Sequence, residues 1–207
     1  WMNYGGPSTA AVSLAEDGSV LVTEGNPDIG GSRASMELMA AETLLARGYR
    51  RIGFLGGPRD ATSTEDRLAG FRDALGGQPG VTLDARFAAA YSFDAGRAEM
   101  IRVLAGGRPA GAWFCGDDIL SIGAISALKE AGLAVPGDVG VIGMNDMDMA
   151  RWPGIDLTTI RQPIADIIDA SIDRIAACLD DPGAAPTARL FDCSIVERGT
   201  LRPLPTL

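Results

Sequence analysis

The chain has 207 residues, of which 46% are hydrophobic and 22% charged, and its formal net charge is −9. This composition supplies enough apolar side chains for a buried core and excludes a disordered or collagen-like chain. An acidic surface repels phosphate backbones, so we expect these residues by themselves to bind DNA poorly, although a basic module elsewhere in the same protein is compatible with that charge.

Short apolar segments alternate with amphipathic helical segments through most of the chain. In order, we predict strand 19–23, helix 35–47, strand 51–55, helix 65–75, strand 86–91, helix 94–104, strand 111–115, helix 120–131 and strand 139–144. Gly48 and Gly132 are expected to end the helices before them, and Asp94 to cap the helix that it begins. Four strand–helix units in succession predict an α/β fold with a parallel, doubly wound sheet.

The pattern changes after the last of these strands. A loop over 145–156 leads to strand 157–160, then to a long helix over 164–179 and a strand over 189–196. The long helix has a continuous apolar stripe, which predicts that it packs against a large surface. Residues 1–4 resemble the end of a strand, so we expect the chain to contain only part of a larger architecture.

The residue types exclude the commonest catalytic chemistries. The chain contains no histidine, which excludes a Ser-His-Asp or Cys-His nucleophile and most zinc sites. Gly56 and Gly57 follow a strand but fit neither the dinucleotide fingerprint nor the phosphate-loop pattern, and a tight turn explains them. We therefore expect no cofactor and no metal, while catalysis by carboxylates or lysine remains possible on the residue types alone.

The cysteines and the first residues bear on the cellular compartment. Cys115, Cys178 and Cys193 are far apart and lack metal-ligand spacing, which is typical of reduced structural thiols in a cytosolic protein. The first residues lack the pattern of an export signal, and no apolar stretch approaches the roughly 18 residues of a membrane span. We expect a soluble, cytoplasmic protein that does not enter a membrane.

Five blocks of sequence, in order, carry a resemblance to a known family. They are LLARGYRRIGFLGGP at 44–58, RLAGF at 67–71, CGDD at 115–118, VGVIGMND at 139–146 and LTTIRQP at 157–163. In order and spacing, these blocks resemble the LacI/GalR transcription regulators over most of the chain, from about residue 32 to residue 198. Within the first block only Tyr49 departs from the family, which usually has histidine there.

The resemblance implies a fold and a division of the chain. The fold is the type I periplasmic-binding-protein-like fold, in which two Rossmann-like lobes are joined by three crossovers and the effector binds between them. Residues 1–50 would form a partial N-terminal lobe and residues 51–160 the C-terminal lobe. Residues 161–187 would form a helix that returns to the N-terminal lobe, and residues 188–207 the final crossover strand and tail.

The resemblance also implies a function. The chain would be the effector-binding core of a homodimeric regulator, with a sugar or a related small molecule as the effector. Binding would control DNA binding allosterically through a helix-turn-helix that these residues do not contain.

Arg67, Asp117 and Asp118 are the first candidate binding residues. The resemblance places Arg67 on the family's effector-contacting arginine, and a guanidinium presents a fork of donors to hydroxyls or a carboxylate. Asp117 follows a buried strand, where a carboxylate can accept hydrogen bonds from sugar hydroxyls; the family often has asparagine there. Asp118 either binds the ligand as well or caps the following helix.

Further candidates follow the neighbouring strands. Asn145 lies where the family usually has an effector-binding aspartate, so the ligand need not be a simple sugar, and the adjacent Asp146 is expected to order its loop. The resemblance places Gln162 at the cleft. Tyr91 either stacks on a ligand ring or covers the core.

Three serines complete the candidate set. Ser32 and Ser35 lie at a helix entrance, where exposed N–H groups and hydroxyls can bind a ligand, although helix capping explains them equally well. Ser63 is expected in the loop before the next helix and is similarly placed. Of the tryptophans, Trp113 is expected in the core and Trp152 at a dimer contact.

Two other functions remain open on the sequence. A solute-binding protein of a transport system has the same two-lobed architecture, although the chain shows no export signal. An enzyme that uses Asp117 and Asp118 as acid and base, or as metal ligands, is the less favoured alternative because no third ligand is evident.

Overall fold

The apolar segments pair into a six-stranded sheet in the computed structural model, which describes residues 10–14, 20–24, 32–181 and 191–205. The strands are β1 Ala10–Leu14, β2 Val20–Glu24, β3 Arg51–Gly56, β4 Thr82–Phe87, β5 Ala112–Cys115, β6 Gly140–Met144, β7 Thr158–Arg161 and β8 Ser194–Val196. The helices are α1 Ser32–Ala46, α2 Thr62–Leu75, α3 Phe93–Ala105, α4 Asp118–Glu130 and α5 Ile164–Asp180, and a short 3-10 helix covers Asp148–Arg151.

The sheet has the order β4-β3-β5-β6-β7-β8, and β1 pairs with β2 in a separate antiparallel pair. The first five strands of the large sheet are parallel, and β8 runs antiparallel to β7. The carboxyl ends of the parallel strands therefore lie along one edge, where open α/β sheets bind their ligands. This topology confirms the predicted α/β fold with a mostly parallel sheet.

Successive strand residues point to opposite faces of the sheet and build a core on each face. On one face the rings of Phe54, Phe71 and Phe114 cluster, with centroids 5.0–6.2 Å apart, beneath α1 and α2. On the other face Trp113 and Leu120 lie in the core beneath α3 and α4. Trp113 is fully buried, which confirms its predicted place in the core.

Helix α1 packs on this sheet. Its Met36, Ala40 and Leu44 are buried in the same cluster as Phe54 and Phe71. The assignment of residues 1–50 to the N-terminal lobe stays a prediction, and the packing of α1 favours placing this helix with residues 51–160 instead.

Glycines allow α3 and α4 to pack with their backbones in contact. A Cβ on Gly123 would overlap the carbonyl oxygen of Phe93 and the backbone nitrogen of Arg97. A Cβ on Gly96 would in turn overlap the backbone of Leu120. Because both obstacles are backbone atoms, no change of side-chain rotamer can relieve them.

The structure corrects two boundaries around α3. The strand predicted at 86–91 forms earlier, as β4 Thr82–Phe87. The cap of α3 is Ser92, whose Oγ accepts a hydrogen bond from Ala95 N at 3.2 Å, and the prediction that Asp94 caps it was wrong. A hydroxyl one residue ahead of the first helical position reaches this N–H more easily than a carboxylate inside the first turn.

The strand predicted at 189–196 is observed as β8 Ser194–Val196, and residues 189 and 190 lie outside the described residues. The apolar stripe of α5 stays exposed in the part of the chain that the structure describes. It consists of Ile164, Ile168, Ile172, Ile175 and Leu179. No helix within the described ranges is long and apolar enough to cross a membrane.

Candidate ligand-binding site

Polar side chains line the edge of the sheet where the parallel strands end. Tyr91 comes from the loop after β4, Arg67 from the helix after β3, Asp117 from the end of β5, Asn145 from the end of β6 and Gln162 from the end of β7. Parallel strands bring these residues together although the sequence separates them by up to about a hundred positions. Five of the predicted site residues thus form one row.

Arg67 is held at one end of the row. Its Nη1 donates to Tyr91 Oη at 3.3 Å and to the Gly116 carbonyl oxygen at 3.2 Å, and Tyr91 Oη shares a hydrogen bond of 2.7 Å with Thr64 Oγ1. Arg67 Nε is buried and has no acceptor among the described residues. The side chain is therefore fixed in position while it keeps a donor for a ligand.

Gly57 explains the position of Tyr91. A Cβ on Gly57 would overlap the Tyr91 ring, so the ring lies directly against the backbone of the turn after β3. One alternative for Tyr91 was that it covers the core, and the other was that it stacks on a ligand. The ring is 37% exposed and borders the row, so part of it is free to contact a ligand.

Asp117, Asn145 and Gln162 form a hydrogen-bonded chain. Asn145 Nδ2 donates to Asp117 Oδ2 at 2.8 Å, and Gln162 Nε2 donates to Asn145 Oδ1 at 2.7 Å. The second carboxylate oxygen of Asp117 accepts from Ile119 N at 2.8 Å and caps α4. The sequence left open whether Asp118 caps α4. In the structure, Asp117 is the residue that caps it.

Positions 117 and 145, which are in contact, are also the two positions of the row that depart from the family pattern. The resembling family has an amide on the first strand and a carboxylate on the second, whereas this chain has Asp117 and Asn145. The carboxylate–amide hydrogen bond is kept, and the charge has moved from one strand to its neighbour. Burial raises the pKa of Asp117, while the Ile119 N–H, the charge of Arg67 and the Asn145 amide act in the opposite direction.

Asp118 lies behind the row and is fully buried. Its two carboxylate oxygens accept from Met147 N at 2.7 Å and from Thr159 Oγ1 at 2.6 Å. A Cβ on Gly143 would overlap this carboxylate, so only glycine on β6 leaves room for it. The placement favours a structural role, in which Asp118 fixes the loop after β6 to β7.

The buried Asp118 predicts a pH-dependent stability. Burial raises its pKa to about 6, and the nearby charges of Asp117 and Asp146 add to the rise, although the hydrogen bonds from Thr159 and Met147 oppose it. The native state therefore holds this proton more tightly than the unfolded chain, whose aspartates have a pKa of about 4.

The stabilisation from Asp118 is fully present below about pH 4 and is lost as the pH rises through about 6. Relative to Asp118→Asn, we expect the wild type to lose about 2 kcal/mol of unfolding free energy between pH 4 and pH 7. Urea unfolding of both proteins at several pH values measures the difference. A difference that stays constant with pH would show that Asp118 titrates normally.

Asp146 fixes the backbone next to Asn145. Its carboxylate accepts from Arg161 Nε and from Arg198 Nη2, both at 2.6 Å, and Arg161 ends β7 while Arg198 follows β8. Burial alone would raise the pKa of Asp146, but these two arginines lower it below its usual value. Asn145 and Asp146 have positive φ angles of 105° and 51°, which asparagine and aspartate tolerate better than most residues.

The three predicted serines differ in how far the structure describes them. Ser63 is in the first turn of α2 and not in the loop before it, because α2 begins at Thr62. Ser32 is the first residue of α1 and Ser35 lies in its first turn, and their side chains lie outside what the structure describes. A ligand role for the three serines stays a prediction.

The row has the chemistry of a binding site for a polar small molecule. It offers a guanidinium, a carboxylate, two amides and a phenol, which together can donate to and accept from hydroxyls, carbonyls or ring nitrogens. No group of metal-ligating side chains occurs among the described residues. The nearby Cys115 is buried, which raises its pKa to about 12 and makes its thiol a poor nucleophile.

A parallel α/β sheet with polar side chains at its carboxyl edge is the architecture of many ligand-binding proteins. Residues 41–201 match the family described as the periplasmic binding protein-like domain. The HTH-type transcriptional repressor CytR of Escherichia coli (strain K12) is 32% identical over 168 residues, which are 80% of this chain and 49% of CytR.

Solved structures agree with this assignment. A LacI transcriptional regulator from a Rhodococcus species superimposes with a TM-score of 0.76 and 25% identity, over 85% of this chain and 65% of that one. The lac repressor dimer bound to operator and the anti-inducer ONPF gives a TM-score of 0.74 and 29% identity, over 82% of this chain and 59% of that one.

The chain therefore belongs to the periplasmic-binding-protein-like domain family and corresponds to that domain of the LacI/GalR family. It spans about half the length of the curated relatives that it matches. These relatives are transcription regulators and not enzymes, in agreement with the predicted binding module.

Proposed function

We propose that the row formed by Arg67, Asp117, Asn145, Gln162 and Tyr91 binds the small-molecule effector of this regulator. The observation that carries the proposal is the convergence of these five side chains at the carboxyl edge of the parallel sheet. Open α/β sheets bind ligands at this edge.

The chemistry of the row favours a neutral or hydroxyl-rich ligand such as a sugar or a related molecule. Arg67 supplies N–H donors, including Nη2, which makes no hydrogen bond among the described residues. Asp117 and the Asn145 amide supply acceptors and one further donor. Because the carboxylate stands on β5 and not on β6, the ligand group with the strongest donor is expected to face Asp117.

For the whole protein we propose ligand-controlled DNA binding in the cytoplasm. The effector would bind between two lobes, of which residues 51–160 form the C-terminal one, and would change the angle between them. A homodimer would pass this change to a helix-turn-helix outside these residues. Trp152, which is 54% exposed beside the 3-10 helix, is proposed to lie in the dimer contact.

Calorimetric titration with a panel of sugars, sugar acids and nucleobases tests the site. We expect one class of compound to bind. Arg67→Ala should weaken its binding by at least about a hundredfold, because the complex would lose the hydrogen bonds that the guanidinium donates to the ligand. Arg72→Ala is the matched control, since Arg72 lies on the same helix but is exposed, and it should bind like the wild type.

If Arg67→Ala and the wild type bind the identified ligand with equal affinity, the proposed site is wrong. Thermal unfolding of both variants shows whether each is folded at the temperature of the titration.

A further inference from the structure

The amino ends of the strands, at the opposite edge of the sheet from Arg67, also form a pocket. Its volume is about 320 Å³, and it lies between the residues that begin β3, those just before β5 and β6, and the segment after β8. A pocket of this volume is large enough for a small molecule. Four arginines line it: Arg50, Arg51, Arg108 and Arg202.

These arginines differ from most other described arginines because none of them forms an ion pair with a described carboxylate, although Asp138 also lines the pocket. Among the described residues, eight arginines form ion pairs with aspartate or glutamate. None of the four that line the pocket is among those eight. Four unpaired guanidinium groups around one pocket form a local positive potential in a chain whose formal net charge is −9.

The contacts that two of them make hold the pocket open and in shape. Arg51 Nη2 donates to the carbonyl oxygens of Arg108 and Pro109, at 3.1 and 3.0 Å, and so fixes the loop before β5. Arg50 Nη1 donates to the carbonyl oxygens of Leu45 and Tyr49, at 3.2 and 2.9 Å. Since a guanidinium carries five N–H donors, each side chain retains others for a ligand.

The other two arginines of the pocket, Arg202 and Arg108, are less constrained by hydrogen bonds. The Arg202 guanidinium lies over the ring of the buried Tyr49, 4.8 Å from its centroid, and Tyr49 Oη accepts from Arg202 N at 3.1 Å. Stacking on a ring leaves the edge donors of a guanidinium unoccupied. The Arg108 side chain makes no hydrogen bond or ion pair to any part of the chain that the structure describes.

We propose that this pocket is a second ligand site, and that it binds a phosphate group, either free or carried by a small hydroxylated molecule. Guanidinium groups match the paired oxygens of a phosphate, and several of them neutralise a dianion. Asp138 is the pocket's carboxylate and faces the ligand space; its Oδ2 accepts from Ala134 N at 2.8 Å, and it would accept a hydroxyl but repel a second anion.

This site is distinct from the row at the other edge. The two lie at opposite ends of β3, which has six residues and therefore separates them by about 17 Å. A ligand here would contact the core of the lobe through Tyr49 and the segment around Arg202, without meeting Arg67 or Asp117.

Calorimetric titration at constant ionic strength, with inorganic phosphate, ribose 5-phosphate and ribose, tests the proposal. We expect phosphate or ribose 5-phosphate to bind at millimolar concentration or below, and ribose to show no binding that depends on the pocket. Arg108→Ser with Arg202→Ser should weaken binding of the phosphate compound by at least about tenfold. Arg72→Ser is the control for loss of a positive charge outside the pocket and should leave the affinity unchanged.

Arg67→Ala distinguishes this site from the one proposed for the effector. Phosphate binding that persists in Arg67→Ala and is lost in the double variant supports the second site, whatever ligand the row binds. Binding lost in Arg67→Ala, binding unchanged in the double variant, or no binding at millimolar concentration would each overturn it. If the double variant fails to fold, Arg108→Ser alone gives the same test, since that side chain has no partner among the described residues to lose.

Discussion

Gly123→Ala is expected to destabilise the protein by about 3 kcal/mol or more, because the added Cβ would overlap the carbonyl oxygen of Phe93 and the backbone nitrogen of Arg97. These are backbone atoms of α3, so α3 and α4 would have to move apart. That movement would loosen the core around Leu120 and Trp113 as well. Urea unfolding, followed by far-UV circular dichroism, measures the loss.

Gly70→Ala is the matched control for this prediction. Gly70 also lies within a helix, α2, but its added Cβ would meet only the Glu37 side chain at an ordinary distance of 3.5 Å. Alanine favours the helix over glycine by up to about 1 kcal/mol, so Gly70→Ala is expected to be neutral or stabilising. Equal destabilisation by the two changes would show that close backbone packing is not the reason for Gly123.

Asn145→Asp is expected to destabilise the protein by about 3 kcal/mol at neutral pH, because it would place a second carboxylate within hydrogen-bond distance of Asp117. Both positions are half-buried, and burial already raises the pKa of Asp117. One of the two carboxyls would have to take up a proton, so the loss should shrink as the pH falls. Unfolding at neutral and at mildly acidic pH measures both effects.

The double variant Asp117→Asn with Asn145→Asp tests whether these positions act as a pair. It restores one carboxylate and one amide, with the charge on the other strand, and it keeps an oxygen at position 117 to cap α4 through Ile119 N. We expect it to recover most of the stability that Asn145→Asp loses. A double variant as unstable as the sum of the single changes would contradict the paired exchange.

Much of the fold follows from local patterns in the sequence. The apolar segments at β3, β5 and β6 are buried on both faces, as continuous apolar runs between helices predict. Once the sheet is parallel, the residues that follow each strand must meet at one edge. This is why Asp117 and Asn145 could be placed together without a structure, whereas Arg67 was placed in the site by the family resemblance.

Other contacts of the site depend on pairings that no local pattern reveals. Asp146 is bound by Arg161 and Arg198, which are 15 and 52 residues away, and β8 reaches its place only after α5. Asp117 and Asp118 are adjacent and chemically identical, yet the first lies in the row and the second behind it. The direction of each side chain is set by the turn from β5 into α4, where Asp117 is extended and Asp118 already helical.

The exposed stripe on α5 was predicted to pack against a large surface, and the described residues do not cover it. The sequence did not predict the arginine pocket, because Arg50, Arg108 and Arg202 come from three distant segments. For the pocket, the charge of each segment is ordinary, and only the arrangement of the segments in space is informative.

The central claim is that the effector binds to the row at the carboxyl edge of the sheet. A crystal structure with the compound identified by titration tests it most directly. We expect electron density for the ligand between Arg67, Asp117 and Asn145, with a ligand acceptor within hydrogen-bond distance of the Arg67 guanidinium. Density for the compound elsewhere, with no contact to these three side chains, would contradict the account.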